Sequence, residues 1–146
     1  MAPRAGRDQR MMAAPMPLGP FLVEDGGRLT FRTKETQPSF SFQWRNRRFA
    51  VRLHDQRLHF AAPIGRIPST SAGVGRRDGA LAVLAALRRA LPQGWTMQLL
   101  PDHRLQLETE QIMEWPATVA ALLTPIIALV LRAAPVLDLI EENGLA

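Results

Sequence analysis

The run "SFSFQW", residues 39–44, alternates apolar and polar side chains without a break, and two more runs of the same kind follow directly. Phe40, Phe42 and Trp44 face one way; Ser39, Ser41 and Gln43 face the other. A period of two marks a strand with one buried and one wet face. "RFAVRL" then sets Phe49, Val51 and Leu53 on one side, and "RLHF" adds Leu58 and Phe60. A two-residue turn at Asp55-Gln56 places Leu53 opposite Leu58 and Val51 opposite Phe60. The three strands share one apolar side, which makes an antiparallel meander with a wet outer face.

An apolar sheet face needs a cover. "GALAVLAALRRALP" provides one. Ala80, Leu84, Leu87 and Leu91 form a stripe at helical spacing, predicting a helix over about 78–91 with Asp78 as N-cap. Arg88 and Arg89 suit its last turn, where the backbone dipole favours cations. A second cover is the apolar run "ATVAALLTPIIALVL", 117–131. It falls short of the about 20 residues of a membrane span and reads as a buried helix. Pro116 can start that helix and Pro125 should kink it. "PVLDLIEENG" reads as a last short helix from Pro135, stopped by Gly144.

Two hairpins complete the pattern. "FLVEDGGRLTF" turns at Asp25-Gly26-Gly27, setting Phe21 opposite Phe31 and Val23 opposite Leu29. "WTMQLLPDHRLQLETE" turns at Pro101-Asp102-His103, setting Met97 opposite Leu107 and Leu99 opposite Leu105. The fold class is therefore α+β: an antiparallel sheet of hairpin, meander and hairpin, with an intervening helix and a long kinked C-terminal helix over one face. The first residues, with Pro3, Pro15, Pro17 and Pro20, read as a flexible arm over 1–19. Residues 20–146 read as a single domain, within the size that supports its own core.

Chemistry is harder to find. There are no cysteines, so disulfides and thiolate metal sites are excluded. The glycine-rich stretch Gly73, Gly75 and Gly79 lacks the Lys-Ser/Thr of a phosphate loop, since Gly75 is followed by Arg76-Arg77-Asp78. An anion on the helix N-terminus beside Arg76 and Arg77 is one reading, and a plain crossover from sheet to helix is the preferred one. His54 and His59 fall on the outer sheet face, His103 in a turn, with no spacing for a metal site and no His–carboxylate cluster. Glu108 and Glu110 fall on a solvated strand face. No catalytic constellation is visible, and neither an enzyme nor a cofactor is expected.

The net charge is +5, and all the basic residues except Lys34 are Arg. Arg45, Arg47 and Arg48 crowd one hairpin tip, with Arg52 and Arg57 following and aromatics nearby. Such a hairpin, 45–57, is a candidate for binding a partner, an anion or single-stranded nucleic acid. The aromatics, however, fall on the face needed for the core.

The order "RLHFAAPIGRIP", helix "GALAVLAALRRALP", hairpin "WTMQLLPDHRLQLE", closing helix resembles the type III secretion chaperone-like fold. That group includes effector chaperones and regulators of the sensory-transduction type. The likeness covers about residues 38–142. It implies a bacterial, cytoplasmic homodimer that binds an extended segment of a client protein, partly by adding strands. It also implies that Leu84, Leu87 and Leu91 belong to a dimer interface; read from the sequence alone they are equally core residues. The expectation is a small protein-binding chaperone or adaptor, with a nucleic-acid-binding module as the alternative.

Overall fold

A computed structural model describes residues 14–34 and 37–146. Three short strands, β1 (Met16–Leu18), β2 (Phe21–Val23) and β3 (Leu29–Phe31), form one antiparallel sheet. A larger sheet contains β4 (Ser39–Trp44), β5 (Arg47–His54), β6 (Arg57–Arg66), β7 (Trp95–Leu99) and β8 (Arg104–Ile112), in the order β4-β5-β6-β8-β7. Helix α1 (Val74–Ala90) links β6 to β7, and α2 (Val119–Glu142) closes the fold. The class is α+β, as the alternation implied.

The meander has the expected register, with Val51 paired to Phe60 and Leu53 to Leu58. Its turns, Arg45-Asn46 and Asp55-Gln56, have all four residues at positive φ. That is the twist-matched two-residue hairpin turn, usually marked by glycine. Without glycine, the turns are held by the pairing on either side. The second hairpin also matches, with Met97 opposite Leu107 and Leu99 opposite Leu105. It enters the sheet through β8, which lies against β6 and leaves β7 at the far edge.

The first hairpin has the expected partners, Phe21 with Phe31 and Val23 with Leu29, but stands apart from the main sheet. Its third strand, β1, comes from the segment expected to be a flexible arm; the rest of that arm, 1–13, lies outside the described residues. This small sheet docks on the approach to α2. The Leu29 N–H donates to the Ala117 carbonyl at 2.9 Å, and the Phe31 ring stacks on Trp115 at 4.5 Å.

Helix α1 starts earlier than the stripe suggested. Gly73, at φ 105°, precedes its first residue, and Asp78 lies inside the helix instead of capping it. Helix α2 is capped by Thr118, whose side chain accepts from the Ala121 N–H at 3.2 Å. It runs through Pro125 and Pro135 without a break, so the separate short helix expected from Pro135 does not exist. A proline in a helix interior costs about 3 kcal/mol. Leu122, Ile126, Leu129, Val136, Leu137 and Ile140 are buried on both sides of the two prolines. At roughly 1.5–3 kcal/mol for each large side chain, that burial outweighs the lost bonds.

The core lies between the main sheet and the helices. Phe49, Val51, Leu58, Phe60, Leu105 and Leu107 on the sheet meet buried residues of α1 and α2. The chain end is seated there too. Leu145 is buried, and its carbonyl accepts from the Arg66 N–H at 2.7 Å. Gly65 makes room for it: a Cβ at that position would overlap the Leu145 carbonyl oxygen and lie 3.0 Å from Ile140 Cγ2.

Candidate functional site

The arginines of the first meander turn separate by parity. Arg47 points inward and is 8% exposed. Its Nε donates to the Ile64 carbonyl at 3.1 Å, and its Nη1 to the Arg45 carbonyl at 3.0 Å and to Glu141 Oε1 at 2.8 Å. Arg45 reaches the same helix end, donating to Asp138 Oδ1 at 2.7 Å and Glu141 Oε2 at 2.5 Å, with its guanidinium 5.5 Å from the Trp44 ring. Hydrogen bonds from Arg47 and then Arg45 hold the Glu141 carboxyl below the usual glutamate range. Reciprocally, hydrogen bonds to Glu141 and then Asp138 raise the Arg45 guanidinium above its ordinary value, against a smaller effect of burial.

Arg45 and Arg47 are thus engaged in fastening α2 to the hairpin. Arg48 points to the wet face, where its Nε donates to Ser41 Oγ at 2.9 Å. Two arginines that sequence reasoning did not group, Arg66 and Arg104, line the same open groove of about 940 Å³ as Arg45 and Arg48. They are cross-strand partners. Only the β6–β8 register brings them together, and no local pattern announces that. Arg104 is itself paired with Asp102.

At the start of α1, Arg77 donates to the Pro68 carbonyl at 2.9 Å, tying the crossover to the helix, while Arg76 is exposed. The crossover reading accounts for this geometry. The expected dimer residues are placed differently. Leu84 and Leu87 are buried within this chain, Leu87 completely, and Leu91 is half-buried against the same core. Side chains packed under the sheet cannot also face a second copy, so Leu84 and Leu87 are core residues.

The outer sheet face is a shallow trough of about 700 Å³ whose lining includes Arg52, His54, His59, Glu108 and Glu110. Individual His–carboxylate pairs form here that no local spacing announces. The register pairs His59 with Glu110 across β6 and β8, at 3.0 Å between Nδ1 and Oε1, and Arg57 holds the other oxygen at 3.0 Å. His54 lies 3.2 Å from Asp55. All of these groups are well exposed, so water screens them and the network contributes little stability. Among the described residues, no three metal-ligating side chains converge.

Among the described residues, two surfaces stand out as open to a partner. One is the edge of β4, which, like β7 at the other side of the sheet, pairs with a single strand. The Leu53 N–H donates to the Pro38 carbonyl at 2.9 Å, which fixes the bonding phase of the β4–β5 pair. By alternation, the backbone groups of Phe40, Phe42 and Trp44 point at β5. Those of Ser39, Ser41 and Gln43 point away from the sheet. The strand has no charged residue, and its three aromatics are only half-buried. The other surface is on α2. The apolar run expected to form a buried helix is divided: Leu122, Ile126 and Leu129 are inside, whereas Leu123, Ile127 and Leu131 are 42%, 57% and 68% exposed. The helix has two apolar sides. Its hydropathy and length match a membrane span, yet one side is packed into the core. The sequence signal was available: an apolar run with no charge from Val119 to Leu131 is too wide for one face.

The chain matches no family model, no curated protein and no solved structure.

Proposed function

We propose that this protein is a small protein-binding adaptor or chaperone, of the kind found among type III secretion chaperones, working in the cytoplasm as a homodimer. The observation that carries the reading is the open β4 edge. Ser39, Ser41 and Gln43 offer N–H and C=O groups in strand geometry with no strand paired to them among the described residues. Natural edges are usually blunted by charge, proline or a bulge; β4 carries none within its span. An extended client segment would pair with those groups, and its inward side chains would complete the cover of Phe40, Phe42 and Trp44. Main-chain bonds supply affinity in this mode and side-chain pockets supply selectivity.

The reading is tested with a client captured from the source cell and identified by mass spectrometry, then reduced to a synthetic peptide. Bound peptide should slow hydrogen exchange at Ser39, Ser41 and Gln43. Ser41→Pro should abolish binding while leaving the fold intact, because the lost N–H points away from β5. A peptide that binds equally well to Ser41→Pro would refute the edge. Binding of an oligonucleotide, with affinity falling by several log units per log unit of salt, would replace this reading with the nucleic-acid one carried by Arg48, Arg52 and Arg57.

A further inference from the structure

We propose that the solvent face of α2 is the surface on which a second copy of this chain docks. The inference rests on the homodimer named above but not on the client edge. Three observations carry it, beginning with shape. Leu123, Ile127 and Leu131 are spaced by four and form one ridge on the exposed side of the helix. The adjacent row, Ala120, Thr124 and Ala128, has the same spacing and only small side chains. Thr124 turns its hydroxyl back to the Ala120 carbonyl at 2.7 Å, so its polar group is already satisfied within the helix. A ridge of large residues beside a row of small ones is self-complementary. Under a two-fold axis, the ridge of one copy enters the small row of the other, as in packing of i±4 rows at about −50°.

The second observation is charge. No ionisable residue lies between Val119 and Leu131, so the face meets itself without like-charge repulsion. An isologous interface uses one patch twice and needs that property. A lipid surface fits less well. Interfacial helices carry Lys and Arg on their polar side, whereas beyond Leu131 α2 has a single Arg132 against Asp138, Glu141 and Glu142.

The third observation is area. With Ile112, 71% exposed, the ridge leaves the equivalent of more than two whole Leu or Ile side chains in water. Ile112 and Ala128 line the same groove of about 390 Å³ beside α2, so the patch continues from helix to sheet. Four side chains of this size bring on the order of 200–300 Å² of apolar surface per copy. That is a substantial part of the roughly 600 Å² per partner at which specific interfaces begin. Ala120, Thr124 and Ala128 extend it, and Glu110 and Arg132 at the groove form its charged rim. The dimer expected is a modest one that dissociates on dilution.

The test is light scattering and sedimentation velocity across a concentration series from micromolar to hundreds of micromolar, on the whole chain. The parent should dimerise reversibly. Ile127→Glu and Leu131→Glu should each weaken the dimer at least tenfold while keeping the parent's circular dichroism and melting profile, since both side chains are exposed. Leu81→Glu, on the solvent side of α1, should leave dimerisation unchanged. A parent that stays monomeric throughout would overturn both this inference and the homodimer. A dimer that survives Ile127→Glu would overturn the α2 interface alone, and one broken by Leu81→Glu would move the interface to α1. Co-sedimentation with phosphatidylcholine–phosphatidylserine vesicles that Ile127→Glu abolishes would assign the face to lipid instead. Client-peptide binding is measured on the same variants. Its loss in Ser41→Pro with the dimer intact separates failure of the edge from failure of this interface.

Discussion

Adding one methyl group should have opposite effects at two glycines of this chain. At Gly65, in the irregular stretch of β6 facing the chain end, a Cβ would overlap the Leu145 carbonyl oxygen and press on Ile140 Cγ2. Both are backbone or tightly packed neighbours, so the relief has to come from moving the tail. Overpacking of that kind costs about 1–3 kcal/mol. Shifting Leu145 also stretches its 2.7 Å bond from the Arg66 N–H, for about 1 kcal/mol more. Gly65→Ala should therefore lose about 2–4 kcal/mol, which lowers the melting temperature by roughly 5–15 °C. At Gly79, inside α1, nothing lies within 4 Å of the added Cβ. Gly79→Ala should gain up to about 1 kcal/mol from helix propensity. Urea titrations with unchanged slope give both numbers, and hydrogen exchange at the Arg66 amide locates the Gly65 effect. If Gly65→Ala unfolds at the parent's urea concentration, or its Arg66 amide keeps full protection, the seating of the chain end described above is wrong.

Leu87→Ala should cost about 2–5 kcal/mol by urea titration at any protein concentration, as a core deletion does; Leu87→Asp should fail to fold, and a folded monomeric Leu87→Asp would return that residue to an interface. Glu141 has its folded-state pKa depressed by Arg47 and Arg45. The stability it contributes is complete above the ordinary glutamate value of about 4.3 and is lost as pH falls through the lower folded-state value. Stability measured against pH should therefore decline less steeply at the acid end in Glu141→Gln than in the parent. Gln56→Gly should stabilise by about 0.5–1 kcal/mol in thermal melts, because Gln56 sits at φ 59° in a turn where glycine carries no steric penalty.

Strand identity and pairing were legible wherever alternation was strict. Phe40 to Phe60 gave the meander, and the turn at Pro101-Asp102-His103 gave the second hairpin, because a one-residue slip would turn every apolar side chain outward. What stayed hidden depended on non-local contacts. No local pattern says that β8 rather than β7 lies beside β6, and that choice alone brings Arg66 to Arg104 and His59 to Glu110. Arg45, Arg47 and Arg48 looked like one basic tip because sequence proximity ignores parity; Arg47 points inward and Arg48 outward. Pro135 looked like a helix start because a local rule took no account of the burial on both sides of it. The width of the apolar run in α2 was visible, but an exposed ridge and a buried stripe have the same composition, and only packing divides them.

Arg45 follows directly on Trp44, the last residue of the open edge strand, and its guanidinium grips Asp138 and Glu141 near the end of α2. With Arg47, which grips Glu141 from β5, it ties the hairpin beside that edge to the C-terminal end of α2. A displacement of the hairpin would therefore be felt at that end of the helix.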